Sequence, residues 1–136
     1  MTASTRAEPS TGRRIANVGL WVLQVVVAAG FLLAAMGKFT GAEPSVSTFA
    51  AIGLGDWFRY LVGLLEVAGV VGLLVPRLAG AAALALSGLM VGASLTQLIV
   101  VGSGLALPIM MLALSLVIAW GRWSSTARLW AALTRR

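Results

Sequence analysis

The fold turns on Leu78–Gly121, LAGAAALALSGLMVGASLTQLIVVGSGLALPIMMLALSLVIAWG, a run of 44 residues without a single charge. As one helix it would be ~66 Å long at 1.5 Å per residue. No hydrocarbon core of about 30 Å accommodates such a rod. The run must fold back, and Gly102-Ser103-Gly104 followed by Pro108 is where its backbone gives way. It therefore reads as two membrane spans, 78–101 and 105–121.

The segments before it read the same way. Between Arg59 and Arg77 the chain is apolar apart from Glu66, and between Arg14 and Lys38 lie 23 uncharged residues. A membrane helix needs roughly 17–25 predominantly apolar residues. The expectation is an all-α polytopic membrane protein, a four-transmembrane-helix bundle with spans at about 15–37, 57–75, 78–101 and 105–121. The first apolar run exceeds the usual signal-peptide core and no A-x-A site follows it, so it reads as a retained helix. Residues 1–14, whose first dozen are rich in Thr, Ser, Ala and Pro, read as a disordered basic tail, and 123–136 as a basic amphipathic tail.

Composition supports this. The chain is 60% hydrophobic and 10% charged, whereas soluble domains carry about a quarter charged residues. With no cysteine and no histidine, it cannot form a disulfide framework, a Cys/His zinc site, a His-ligated haem or a Ser-His-Asp triad. No cofactor is expected. The net charge of +6 divides unevenly. Arg6, Arg13 and Arg14 against Glu8 give +2, and Arg122, Arg128, Arg135 and Arg136 give +4. Lys38, Arg59 and Arg77 cancel Glu43, Asp56 and Glu66. No basic face exists outside the tails, so nucleic acid is not an expected partner; the lipid bilayer is. With four spans, eight Lys/Arg residues share a side with both tails and two lie opposite, which places both termini in the cytoplasm of a multi-pass cell-membrane protein. Trp120 and Trp123 then mark the inner interface, Trp57 and Tyr60 the outer one.

The connections carry their own signals. Pro44 can open a short helix in which Val46, Phe49 and Ile52 recur at threes, with Gly53 ending it. This piece is expected to lie on the outer leaflet, and Asp56 to cap the second span. In the tail, Ser124 or Ser125 is expected to cap a helix with Trp123, Ala127, Trp130 and Leu133 on one face, anchored to the membrane. Small-residue steps at Ala68/Gly72, Ala81/Ala85 and Gly88/Gly92 suit close packing within the bundle.

Polar residues inside the spans are the candidates for function, since each ionisable group there costs about 2.5–3.5 kcal/mol on insertion scales. Glu66 lies nine residues past Trp57, ~14 Å into its span. Arg59 projects from nearly the same face seven residues earlier, with Gly63 between them. Gln24 lies nine residues past Ile15, and Gln24, Phe31 and Lys38 share a face. The third span adds Ser94 and Gln97, while the fourth offers only Ser115. Gln24, Lys38, Arg59, Glu66, Ser94 and Gln97 are thus expected to meet in one inward-facing cluster in the outer half of the bundle. Two readings stand. One is interhelical glue, in which Lys38 or Arg59 neutralises Glu66. The other is a small-molecule site opening outward, lined by Phe31, Phe39 and Phe58. A single carboxylate in the membrane does not make an enzyme, and no catalytic residue is assigned.

Met36-Gly37-Lys38-Phe39, Trp57-Phe58-Arg59-Tyr60-Leu61, Gly63-Leu64-Leu65-Glu66, Gly69, Pro76-Arg77-Leu78-Ala79-Gly80 and Ala119-Trp120-Gly121-Arg122 together resemble the DoxX family over residues 18–122. The resemblance implies four membrane helices, with Lys38, Arg59 and Glu66 as signature polar positions. It also implies a non-catalytic subunit or accessory protein of a membrane redox system linked to the quinone pool, with a membrane redox partner. A binding or transport protein for a quinone, lipid or similar amphiphile is the alternative. Relatives carry histidine where this chain has Gln97, after Thr96, so the resemblance brings no proton-relay or metal role to that position.

Overall fold

A computed structural model describes residues 11–135, and those residues are helical almost throughout. Helix α1 runs Thr11–Thr40, α2 Ser45–Ile52, α3 Asp56–Leu74, α4 Ala79–Thr96, α5 Ala106–Gly121 and α6 Trp123–Thr134, with a π-helical turn Gln97–Val101 extending α4. α1 thus starts before the expected span. Residues 11–14, expected in a disordered tail, form its first turn, because no proline interrupts the chain between Pro9 and Pro44 and arginine is a good helix former. The rest of that expected tail, residues 1–10, lies outside the described residues.

Glycine and proline set the breaks. After α1 the chain turns at Gly41, and α2 ends at Gly53, whose φ of 81° is the left-handed conformation that glycine adopts without a Cβ penalty. Its N–H closes the helix on the Phe49 carbonyl. The Val75–Leu78 turn, with Pro76 and Arg77, separates α3 from α4. Beyond the π turn, Gly102 donates to the Gln97 carbonyl at 2.7 Å, five residues back. Asp56 is the first residue of α3 rather than its cap, and Gly55 holds the capping position. Its carboxylate still lies in the first turn, where the helix dipole favours it.

The four long helices close a ring in which α1 packs on α3, α3 on α4, α4 on α5 and α5 on α1. Phe31, Leu73, Leu86 and Ile118 fill its centre with Val27, Ala83 and Ala119. Where α3 crosses α4 the backbones come close, since a Cβ on Gly72 would lie 2.7 Å from that of Ala82. The Gly88/Gly92 step does not share this work. Both glycines face open space, because α4 turns Ala83, Leu86, Ser87 and Met90 towards the bundle instead. Short α2 packs on α3, the π turn and α1, and α6 packs back on α4 and α5.

The distribution of residues is inverted relative to a water-soluble globule. Gln24, Glu66 and Ser115 are at most 1% exposed, whereas Ile99 is 75% and Leu107 63% exposed. A surface of this kind requires an apolar solvent. Three helical segments, Thr11–Thr40, Asp56–Leu74 and Ala79–Val101, are long and apolar enough to cross a membrane alone, and α5 passes that test together with α6 across a 66° bend. α5 by itself has 16 residues, just under the usual length of a span, a shortfall that a bilayer accommodates by local thinning. The architecture is an all-α polytopic membrane bundle.

Candidate functional site

Apart from Ser87 and Ser115, the buried polar side chains form two groups at opposite ends of the bundle. At the end carrying the α1–α3 connection, Lys38 Nζ lies 2.8 Å from Glu66 Oε1, with the Glu66 side chain 2% and that of Lys38 13% exposed. Gly63 makes this possible. A side chain there would meet the Phe39 ring at 3.1 Å and Lys38 Cβ at 3.4 Å, so the end of α1 settles onto α3 and Lys38 reaches one turn down to the carboxylate.

Arg59 takes a different route. Seven residues from Glu66, ~10 Å along the helix, it turns back to its own first turn. Nη2 donates to the Tyr60 hydroxyl at 3.2 Å and lies 3.8 Å from Asp56 Oδ1. The guanidinium carbon sits 4.9 Å from the centre of the Tyr60 ring, which in turn stacks on Phe39. Gly41 roofs it, leaving room for a Cβ only 3.4 Å from Nη1. Arg59 is buried, yet its Nε and Nη1 have no hydrogen-bond partner. Glu66 Oε2, Ser94 Oγ and Gln97 Oε1 are likewise buried without partners. A buried donor or acceptor left unmatched costs about 1–3 kcal/mol, more when charged, and Ser115 Oγ on α5 and Thr126 Oγ1 on α6 are buried without partners as well.

Gln24 does not join this group. Its Nε2 donates to the Leu73 carbonyl at 2.7 Å, one heptad along α3 from Glu66, and its Oε1 accepts from Arg122 Nε at 2.7 Å. The heptad spacing places Gln24 on the Lys38 face but 14 residues, ~21 Å, further down. Lying on one face is not lying at one height. Gln97 also points elsewhere, donating from Nε2 to the Gly104 carbonyl at 3.2 Å and so pinning the α4–α5 turn. Of the expected apolar lining, Phe31 is in the core, 1% exposed. Phe39 stacks on Tyr60, and Phe58 packs against Phe49 and Trp57.

At the other end Arg122 is the hub. It binds Gln24, donates from Nη1 to Asn17 Oδ1 at 2.7 Å, and rests over the Trp21 ring at 5.6 Å. Burial lowers its pKa from the ordinary value, and arginine remains charged regardless. This clamp was not read from the sequence, where Arg122 counted as a topology signal and as part of the family resemblance. Its trace is there all the same. Asn17, Trp21 and Gln24 stand at i, i+4 and i+7 on α1. The clamp leads into α6. Ser125 Oγ, expected as a cap, instead accepts from the Gly80 N–H at 3.3 Å and donates to the Arg122 carbonyl at 3.0 Å. A Cβ on Gly80 would lie 2.6 Å from that carbonyl, so glycine is what lets α6 seat on α4. Trp123, Ala127, Trp130 and Leu133 are all exposed on its other side.

Comparison with curated proteins and with solved structures gives no match. The profile of the DoxX-like family matches residues 22–120, a stretch that holds Lys38, Arg59, Glu66, Gln24 and most of the four-helix ring. The chain is a membrane protein of the DoxX-like family.

Proposed function

We propose that the chain is a non-catalytic membrane component whose Arg59 site receives the polar head of a small amphiphile, a quinone or a lipid, in the service of a membrane redox partner. The observation that carries this reading is the buried Arg59 guanidinium with Nε and Nη1 unmatched. A ligand carbonyl or phosphate oxygen supplies the missing acceptor, and a ligand hydroxyl supplies a donor for Glu66 Oε2. Phe39 and Tyr60, 42% and 43% exposed, offer ring surface to the body of such a molecule. The Lys38–Glu66 pair is the fixed wall of the site, with Oε1 held by Lys38, while Arg59 is the buried cation left with unmatched donors. With no thiol and no imidazole in the chain, electron transfer falls to the partner. In this account the chain is a multi-pass cell-membrane protein with four spans and both termini in the cytoplasm, and the site opens to the outer side.

The test is an inventory by mass spectrometry of quinones and lipids that co-purify with the wild-type chain and with Arg59→Met. Loss of one species from the variant, with the thermal midpoint unchanged, supports the reading. Identical inventories make the cluster interhelical glue and nothing more.

A further inference from the structure

At the end of the bundle carrying Arg122, α6 and the Val75–Leu78 turn flank an open recess of about 250 Å³ lined by Pro76, Arg77, Ser125, Arg128 and Leu129. The consecutive residue, Leu78, lines a second recess of about 410 Å³, an apolar groove between α3 and α4 bounded by Leu65, Gly69, Ala82, Ala85 and Leu89. The groove ascends from the turn over the eleven residues from Leu78 to Leu89, ~16 Å at the helical rise. Basic cavity and apolar groove are thus lined by consecutive residues, Arg77 and Leu78.

We infer that this end binds one anionic membrane phospholipid, its phosphate between Arg77 and Arg128 and an acyl chain in the groove that begins at Leu78. Charge favours an anion here. Among the described residues the carboxylates are Glu43, Asp56 and Glu66, which lie in the α1–α3 connection or within α3, and none lines the cavity. The setting favours a lipid over a free anion. Pro76 and Leu129 share the lining with the arginines, and the neighbouring face of α6 exposes Trp130 and Leu133, the pattern of a helix lying at headgroup depth. Arginine matches a phosphate with a planar fork of donors, and basic recesses between membrane helices are suited to lipid headgroups. The Gly80–Ser125 bond seats α6 on α4, and this brings Arg128, whose Nε donates to the Ser124 carbonyl at 3.3 Å, to the same recess as Arg77. The inference requires only that this end meets a membrane surface, not which one, and it is independent of the Arg59 site.

The test uses the full chain, purified and delipidated, with phosphatidylglycerol added back and bound lipid counted by native mass spectrometry. Phosphatidylcholine and inorganic phosphate serve as the comparison probes. Wild type should retain one phosphatidylglycerol in preference to phosphatidylcholine. Each arginine near a membrane surface is worth about a factor of five, so Arg77→Gln should lose about fivefold and Arg77→Gln/Arg128→Gln about thirtyfold. Arg135→Gln, the same change of charge outside the cavity, should retain the lipid as wild type does. Ala85→Phe, which blocks the groove, should weaken retention with both arginines intact. Equal retention by wild type and the double variant overturns the inference, as does displacement of the lipid by inorganic phosphate, which would make the site one for a free anion. The thermal midpoint of each lipid-free variant is measured alongside, and a fivefold loss in a variant that is as stable as wild type counts as loss of the site.

Discussion

Lys38 Nζ and Glu66 Oε1 stand 2.8 Å apart across the α1–α3 interface, an ion pair almost wholly withdrawn from solvent. Two charges removed from water are held in place by each other, so deleting one strands the other. The pair ties α1 to α3, where Phe39 stacks on Tyr60 and Gly41 lies over Arg59.

Removal of either member should therefore destabilise the bundle. Glu66→Ala and Lys38→Met should each lower stability in detergent by about 3–5 kcal/mol. The double variant Lys38→Met/Glu66→Ala should recover much of that loss, since neither charge is then left alone. Denaturation of the three variants closes the cycle. Additive losses would show that the pair is not coupled.

The clamp at the other end predicts a different phenotype. Arg122→Ala removes charged hydrogen bonds to Asn17 and Gln24 and the contact with Trp21. It should cost about 1.5–3 kcal/mol and loosen α6. Arg122→Lys should restore only part of this, because an ammonium cannot reach two acceptors in a planar fork while lying over an indole. Limited proteolysis at Arg128 reads the loosening. A protection pattern equal to wild type in Arg122→Ala would mean that α6 is held by Ser125 and Gly80 alone.

Topology is a separate expectation, resting on eight basic residues at the tail side against two at the other. A reporter fused after the last residue should score as cytoplasmic and one inserted near Ser45 as external. An external C-terminus would mean an odd number of spans.

Most of the helical layout is legible in the sequence because charges, glycines and prolines punctuate it. Gly102-Ser103-Gly104 ends the third span, Pro76-Arg77 turns the chain between α3 and α4, and Gly53 stops α2. Lys38, Arg59 and Glu66 are legible too, since charges within apolar runs stand out. What spacing does not convey is height. Gln24 and Lys38 share a face of α1, yet one meets Leu73 and Arg122 and the other Glu66, because 30 residues of helix pass more than one layer of neighbours. The same limit hid the Asn17–Trp21–Gln24 row, whose partner is 98 to 105 residues away. A pairing of that range belongs to the packing of α1 on α5, not to any local pattern.

The central proposal, that a ligand fills the unmatched donors of Arg59, is tested most directly by calorimetric titration of the purified chain with a short-chain quinone, comparing wild type with Arg59→Met. A hydrogen bond to a charged group is worth about 1.5–3 kcal/mol, so the variant should bind about 10- to 150-fold more weakly while keeping its thermal midpoint. Equal affinity in the two proteins, at equal stability, would contradict the account.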